Sequence, residues 1–312
     1  MKKIKNTILI GLGSVGALYD RIDNRLTTTH LKSLNILKQY NLNYTVDLDK
    51  NKKKIIKNFK NINFTSNLNV IKKEINKDTL VVLSSPTKTH LKIFLKLIKF
   101  GIKNIFFEKP IGKNINENIK ILKLCNKNKI SIYTNYFRRY LTAFNKIKSK
   151  IKSNSIGHVI GGTFIYDKYL LNNGCHAIDL LNFFLNEKKK FKIEGILKKK
   201  KDKKGLIIDF IINKDNSRFL FKCNENLKKR DLDIKMYGTK GMIHFSQTKK
   251  SLLKIIKYNK KKIYFKNYDY EFNNRQLIVF KKLYRYMKKQ YITDVNFSKL
   301  IYPQLVMNKL GN

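Results

Sequence analysis

Acid is scarce in this chain: 21 Asp and Glu face 68 Lys and Arg over 312 residues, a formal charge of +47 at pH 7. Arginine is scarcer still. It supplies only 8 of the 68 basic residues, and because the planar guanidinium fork is what reads base edges bidentately, the shortage argues against a sequence-specific nucleic-acid partner. The 60 lysines are spread over nearly every segment among abundant Asn, Ile, Phe and Tyr. A/T-rich codons produce that composition without any functional demand. Cysteine is equally thin. Cys125, Cys175 and Cys223 stand far apart with no C-x-x-C pair, which argues against a local zinc motif or a disulfide framework and fits a reducing cytoplasm. No metal site is expected. No apolar run approaches the roughly 18 residues of a spanning helix. The basic start Met1-Lys2-Lys3-Ile4-Lys5 leads into an apolar run broken by Gly11 and Gly13, so neither a membrane partner nor a secretory signal is expected. Internal repeats are missing, and low complexity is confined to lysine tracts.

What is present suits two domains. Short β-rich runs first alternate with longer amphipathic segments, the pattern of a parallel sheet covered by helices. Strands are expected at Thr7–Leu12, Asn43–Leu48, Thr79–Ser84, Asn104–Glu108 and Ser131–Tyr136. Between them, Leu91, Phe94, Leu95 and Ile98, and then Ile115, Ile119, Leu122 and Cys125, fall at helical spacing. From Phe137 the pattern shifts to one helical segment and many short strands, among them Gly205–Asn213, Arg218–Cys223, Leu232–Tyr237 and Met242–Ser246. A late helix follows through Leu277, Phe280, Leu283, Tyr284 and Met287. The expectation is an α/β Rossmann domain over 1–136 and an α+β domain with a mostly antiparallel open sheet over 137–312. The lysine run from Lys198 to Gly205 reads as a solvated hairpin loop.

The strand Thr7-Ile8-Leu9-Ile10 runs straight into Gly11-x-Gly13-Ser14-Val15-Gly16. Gly11 allows a tight turn, Gly13 lets the backbone approach a pyrophosphate and Gly16 lets a following helix pack on the strand. That helix would present its N–H groups and about half a positive charge to the phosphates. Asp47, in Tyr44-Thr45-Val46-Asp47, ends the second strand, where a carboxylate accepts from a ribose diol and repels a 2′-phosphate. NAD is therefore expected, with NADP open because Lys50, Lys52 and Lys53 follow. Asp47 lies about ten residues later than the usual spacing. The excess falls in an insertion around Tyr19–Thr29, either a simple loop or a cover for the adenosine or substrate mouth. Pro86 is placed to start a helix and Thr87 to donate to a phosphate or ribose. His176 and Asp179, three apart on a helix, share a face, with Ile178, Leu181 and Phe184 turned inward.

Three segments, Glu108-Lys109-Pro110 closing the run Ile105-Phe106-Phe107, Ser84-Ser85-Pro86-Thr87-Lys88-Thr89-His90, and Gly174-Cys175-His176-Ala177-Ile178-Asp179, resemble the glucose-fructose oxidoreductase/inositol dehydrogenase (Gfo/Idh/MocA) family. The resemblance implies hydride transfer between nicotinamide and a sugar-like alcohol or ketone, and a homo-oligomer, dimer or tetramer. It puts Lys109 beside the nicotinamide and the reacting oxygen, with a cis peptide before Pro110 and the Ser85-Pro86-Thr87 turn, with His90, along the cofactor. A lysine partly removed from water near an oxidised nicotinamide moves toward acid/base competence. Glu108 is placed to orient Lys109 or bind the nicotinamide ribose. Arg138 and Arg139 match the family's arginine-bearing segment, one suited to a substrate carboxylate or phosphate and the other to an ion pair. Many relatives carry Asp four residues before the histidine, where this chain has Asn172. An amide holds a hydroxyl but takes no proton, so catalysis falls to Lys109 and His176, with Asn172, Asp179, Arg138 and Arg139 toward substrate. The alternative is a non-catalytic dinucleotide sensor or regulatory protein of the same fold.

Overall fold

The structure, a computed structural model, describes residues 5–21, 23, 25–185, 190–203, 205–214, 216–225, 232–247, 250–259, 263–288 and 297–311. The chain divides into two compact units, Met1–Phe137 with Asn273–Phe297 and Arg138–Phe272 with Ser298–Asn312.

The first unit is built on strands β1 (Lys5–Ile10), β2 (Tyr40–Val46), β3 (Asn63–Thr65), β4 (Leu80–Leu83), β5 (Asn104–Phe107) and β6 (Ser131–Thr134). They pair in the order β3-β2-β1-β4-β5-β6, all parallel. The continuous apolar runs of β4 and β5 follow from that position, since a parallel strand covered on both faces has no solvent side to fill with polar residues. Helices α1 (His30–Ile36), α2 (Lys53–Ile56), α3 (His90–Lys99) and α4 (Ile115–Lys127) connect them. On α3 the buried positions are His90, Phe94 and Leu97, whereas Leu95, expected on the apolar face, is exposed. Helical spacing leaves the phase of a leucine-rich helix open, and the sheet chose the His90 side.

The expected domain boundary does not anticipate the return of Asn273–Phe297 to the first unit. Its helix, α8 (Arg275–Lys288), brings Phe280 edge-on to Tyr40, His30 and, tilted, Phe106, at 5.4–5.6 Å. The Tyr40 hydroxyl donates to the Phe280 carbonyl at 2.8 Å. The late helix expected through Leu277, Phe280, Leu283, Tyr284 and Met287 therefore packs on the first unit's own core.

The second unit holds helices α5 (Thr142–Lys152), α6 (Cys175–Phe184), α7 (Asp269–Asn273, its last residue excepted) and most of α9 (Phe297–Lys309). Its strands are β7 (Val159–Asp167), β8 (Phe191–Asp202), β9 (Gly205–Lys214), β10 (Ser217–Asn224), β11 (Leu232–Gly238), β12 (Gly241–Gln247), β13 (Ser251–Lys257) and β14 (Tyr264–Asn267). They form one sheet, β14-β13-β12-β11-β7-β10-β9-β8, antiparallel except for the parallel β7–β10 pair. Phe164, Phe221 and Phe210 stack in sequence across it with centroids 4.9 and 4.8 Å apart. The lysine run is not a loop: Lys198–Lys201 continue β8 in register with Asp209–Leu206, and the turn is made at Asp202–Gly205. β8 is an edge strand, and a row of charged side chains there blocks pairing with a further strand.

Candidate functional site

Gly11 ends β1 with φ +95°, and a Cβ on it would lie 2.5 Å from the backbone of Ser84 and Ser85. A Cβ on Gly16 would lie 2.2 Å from the Gly11 carbonyl oxygen. Gly13 differs, because a Cβ there meets nothing within 4 Å. Two glycines thus close the turn against the sheet, and the third leaves its outer face open to a diphosphate. Beside them the Ser84 hydroxyl oxygen is buried with no hydrogen-bond partner. The helix expected after the turn is reduced to a single wide turn, Ser14–Leu18, so the N–H groups near Ser14, Val15 and Gly16 face outward without a full helix dipole behind them.

The reason lies in the insertion. Asp20, 4% exposed, accepts from Thr28 N (2.7 Å), Thr29 N (2.9 Å) and the Thr29 hydroxyl (2.8 Å). It gathers Thr28 and Thr29, and α1 begins at His30, capped by Thr29. Despite its late position, Asp47 reaches the glycine turn. Oδ2 accepts from Leu12 N at 2.8 Å and Oδ1 from Asp49 N at 3.0 Å, and an ionised carboxylate keeps acceptor capacity for a diol beyond those two bonds.

The strand ends line up. Leu83, Phe107 and Thr134 are in register, which sets Ser84, Glu108 and Asn135 in a row at the carboxyl ends of β4, β5 and β6, where ligands bind in open α/β sheets. Glu108 is held from both sides, by His30 Nε2 at 2.7 Å from Oε1 and by the Asn135 amide on the same oxygen. Its Oε2 accepts from Lys109 N at 3.3 Å. Burial pushes the Glu108 carboxyl up, but the bond from His30 and its electrostatic pull, then the bond from Asn135 and the Lys109 charge, outweigh it and hold the group below the usual carboxylate range. The Lys109–Pro110 peptide is cis. His90, expected along the cofactor, is fully buried, with Nε2 2.9 Å from the Ser85 carbonyl and Nδ1 2.9 Å from that of Ile111. It ties the Ser85-Pro86-Thr87 turn to the segment after Lys109 and does not face a ligand. The Ser85 hydroxyl is likewise turned to Thr89, at 2.8 Å.

In the second unit His176 is buried on α6, and Asn172 is exposed on the turn before it. Asp179 does share the His176 face but serves another partner: Arg139 Nε and Nη2 donate to its two oxygens, both at 2.7 Å. Two of the five N–H donors of Arg139 are thus engaged by Asp179, which is 1% exposed, so these two residues hold each other. Burial pushes the Asp179 carboxyl above its usual range, against the pull of the Arg139 guanidinium. Arg138 is also buried, at 4% exposure. Asp167, fully buried at the end of β7, accepts from the Asn173 amide. Nothing in the local sequence marks Asp167, His30 or Asn135 for these positions, whereas Asp20 stands out as an acid inside the insertion. Among the described residues no cluster could hold a metal, and no helix is long and apolar enough to cross a membrane.

This glycine turn on a 3-2-1-4-5-6 sheet defines a dinucleotide-binding Rossmann domain. Residues 7–136 match the family described as "Oxidoreductase family, NAD-binding Rossmann fold", and over that stretch the chain is similar to the Gfo/Idh/MocA family. An oxidoreductase of Formosa agariphila is 32% identical over 80 residues, 26% of this chain and a quarter of that protein's length. Among solved structures, a dehydrogenase from Clostridium difficile superposes with TM-score 0.79 at 14% identity, covering 99% of both chains. A 3-ketoreductase from Actinomadura kijaniata, in complex with NADP and TDP-benzene, gives 0.77 at 10% identity over 98% of this chain and 96% of that one. An oxidoreductase from Agrobacterium radiobacter, in complex with NAD+, L-tartaric acid and magnesium, gives 0.73 at 14% identity over 96% and 94%. At these identities the likeness is one of fold.

Proposed function

We propose that the protein transfers a hydride between a nicotinamide cofactor and a secondary alcohol or ketone of a sugar or sugar derivative, in a surface-glycan sugar pathway of the cytoplasm. The observation that carries this reading is the row of Ser84, Glu108 and Asn135 beside an open glycine turn, with Lys109 following Glu108. NAD supplies the hydride acceptor, and NADH the donor, when bound. Lys109 gives the proton to the reacting oxygen in reduction and takes it in oxidation. His176 is the second proton-handling group, because the exposed Asn172 amide holds a hydroxyl without ionising. Asp47 sets NAD over NADP by repelling a 2′-phosphate. A 3-ketoreductase of the same fold was solved with TDP-benzene, so nucleotide-linked keto sugars belong among the substrates to try. The working form is a homo-oligomer.

The test is turnover by the purified protein of a panel of keto sugars, free and nucleotide-linked, with NADH and NADPH. Lys109→Ala is expected to lower turnover by about 10²–10⁴ while cofactor affinity stays within a few-fold. Near-native turnover in that variant removes Lys109 from the mechanism, and tighter NADPH than NADH reverses the role of Asp47. Binding of NADH with no turnover on any substrate favours the sensor reading.

A further inference from the structure

His30, the first residue of α1, is 0% exposed and lies edge-on to both Phe106 and Phe280, with centroids 5.9 and 5.5 Å away. Its Nε2 approaches Glu108 Oε1 to 2.7 Å, while Nδ1 meets no hydrogen-bond partner. An ionised carboxylate accepts only, so Nε2 carries the proton and His30 donates.

We propose that His30 is a positioning residue for the nicotinamide end of the cofactor site. Its Nε2–H, with the Asn135 amide, fixes the Glu108 carboxylate in one orientation, and the other carboxylate oxygen then fixes the backbone of Lys109. A flexible glutamate at a strand end is thereby confined to one rotamer. The Tyr19–Thr29 insertion acquires a purpose in the same step. Asp20 gathers Thr28 and Thr29 so that α1 starts at the position that delivers His30 to Glu108. The proposal rests on the nucleotide reading of this site and assigns nothing to the substrate.

The experiment compares NADH with ADP, which shares the adenosine and diphosphate but lacks the nicotinamide and its ribose. His30→Leu removes the donor and keeps an apolar filler, and His30→Gln returns an amide N–H at similar reach. Leu is expected to weaken NADH about tenfold, as for the loss of a hydrogen bond to a charged group, with ADP affinity within about twofold of the original. Gln is expected to restore NADH to within about threefold. Should His30→Leu fail to fold, Asn135→Ala removes the second donor and is expected to give the same NADH-specific loss. Unchanged NADH affinity, an equal loss of NADH and ADP, or no rescue by Gln overturns the proposal. An unsubstituted protein that binds no NADH sinks the nucleotide reading itself.

Discussion

Glu108 stands at the end of an apolar strand because three donors make ionisation tolerable there. That arrangement has a pH signature. The folded carboxyl titrates below its usual value, so its ionised form stabilises the fold at neutral pH, and the contribution is lost as pH falls through the folded value. Glu108→Gln is therefore expected to be less stable than the original protein at pH 7, with the gap closing below about pH 4.3. Urea unfolding at pH 7, 5 and 3.5 reads the gap, and one that stays constant with pH would remove the carboxylate's role. Glu108 itself was legible in the sequence, as an acid at an apolar strand end in an acid-poor chain. His30 was not, because its partner lies 78 residues away and only the folded sheet brings the two together.

Among the elements, α6 shows what spacing can and cannot say. Three residues of separation put His176 and Asp179 on one face, but they do not reveal that Arg139, 40 residues earlier, occupies the Asp179 carboxylate. Asp179→Ala leaves the Arg139 guanidinium, 16% exposed, without its carboxylate. The expected cost is about 3–5 kcal/mol in chemical denaturation, and joint replacement of both residues by apolar ones should recover most of it. A stable single variant would mean that the pair does not hold the unit together and would return Arg139 to the substrate. The same limit explains the other differences. Periodicity located α3 but not its phase, composition located the lysine run but not its place on an edge strand, and the three-residue β3 was too short to leave a pattern. The strand-turn-strand logic of β1, β4 and β5 was readable because buried parallel strands need unbroken apolar runs and the glycines are fixed by close contact.

At the scale of the whole molecule, the formal charge of +47 has not shaped the site, which is built from Gly11, Ser84, Glu108 and Asn135 together with a single lysine. The feature with the widest reach is the return of Asn273–Phe297 to the first unit. Synthesis proceeds from the N-terminus, and domains fold as units as they emerge. This nucleotide domain lacks Phe280, the ring that meets both His30 and Phe106, until the second unit's strands have already left the ribosome. A first-unit sheet formed before that point would leave the aromatic face around His30 and Phe106 uncovered until Phe280 emerges. A chain halted after Phe272 is expected to bind the hydrophobic dye ANS and to gain proteolytic resistance when a peptide of residues 273–297 is added. A truncated chain that binds no dye and resists protease unaided would show that the first unit closes without α8. Completion of the first unit is then a late event in the birth of the molecule, timed by a segment far in sequence from the glycine turn.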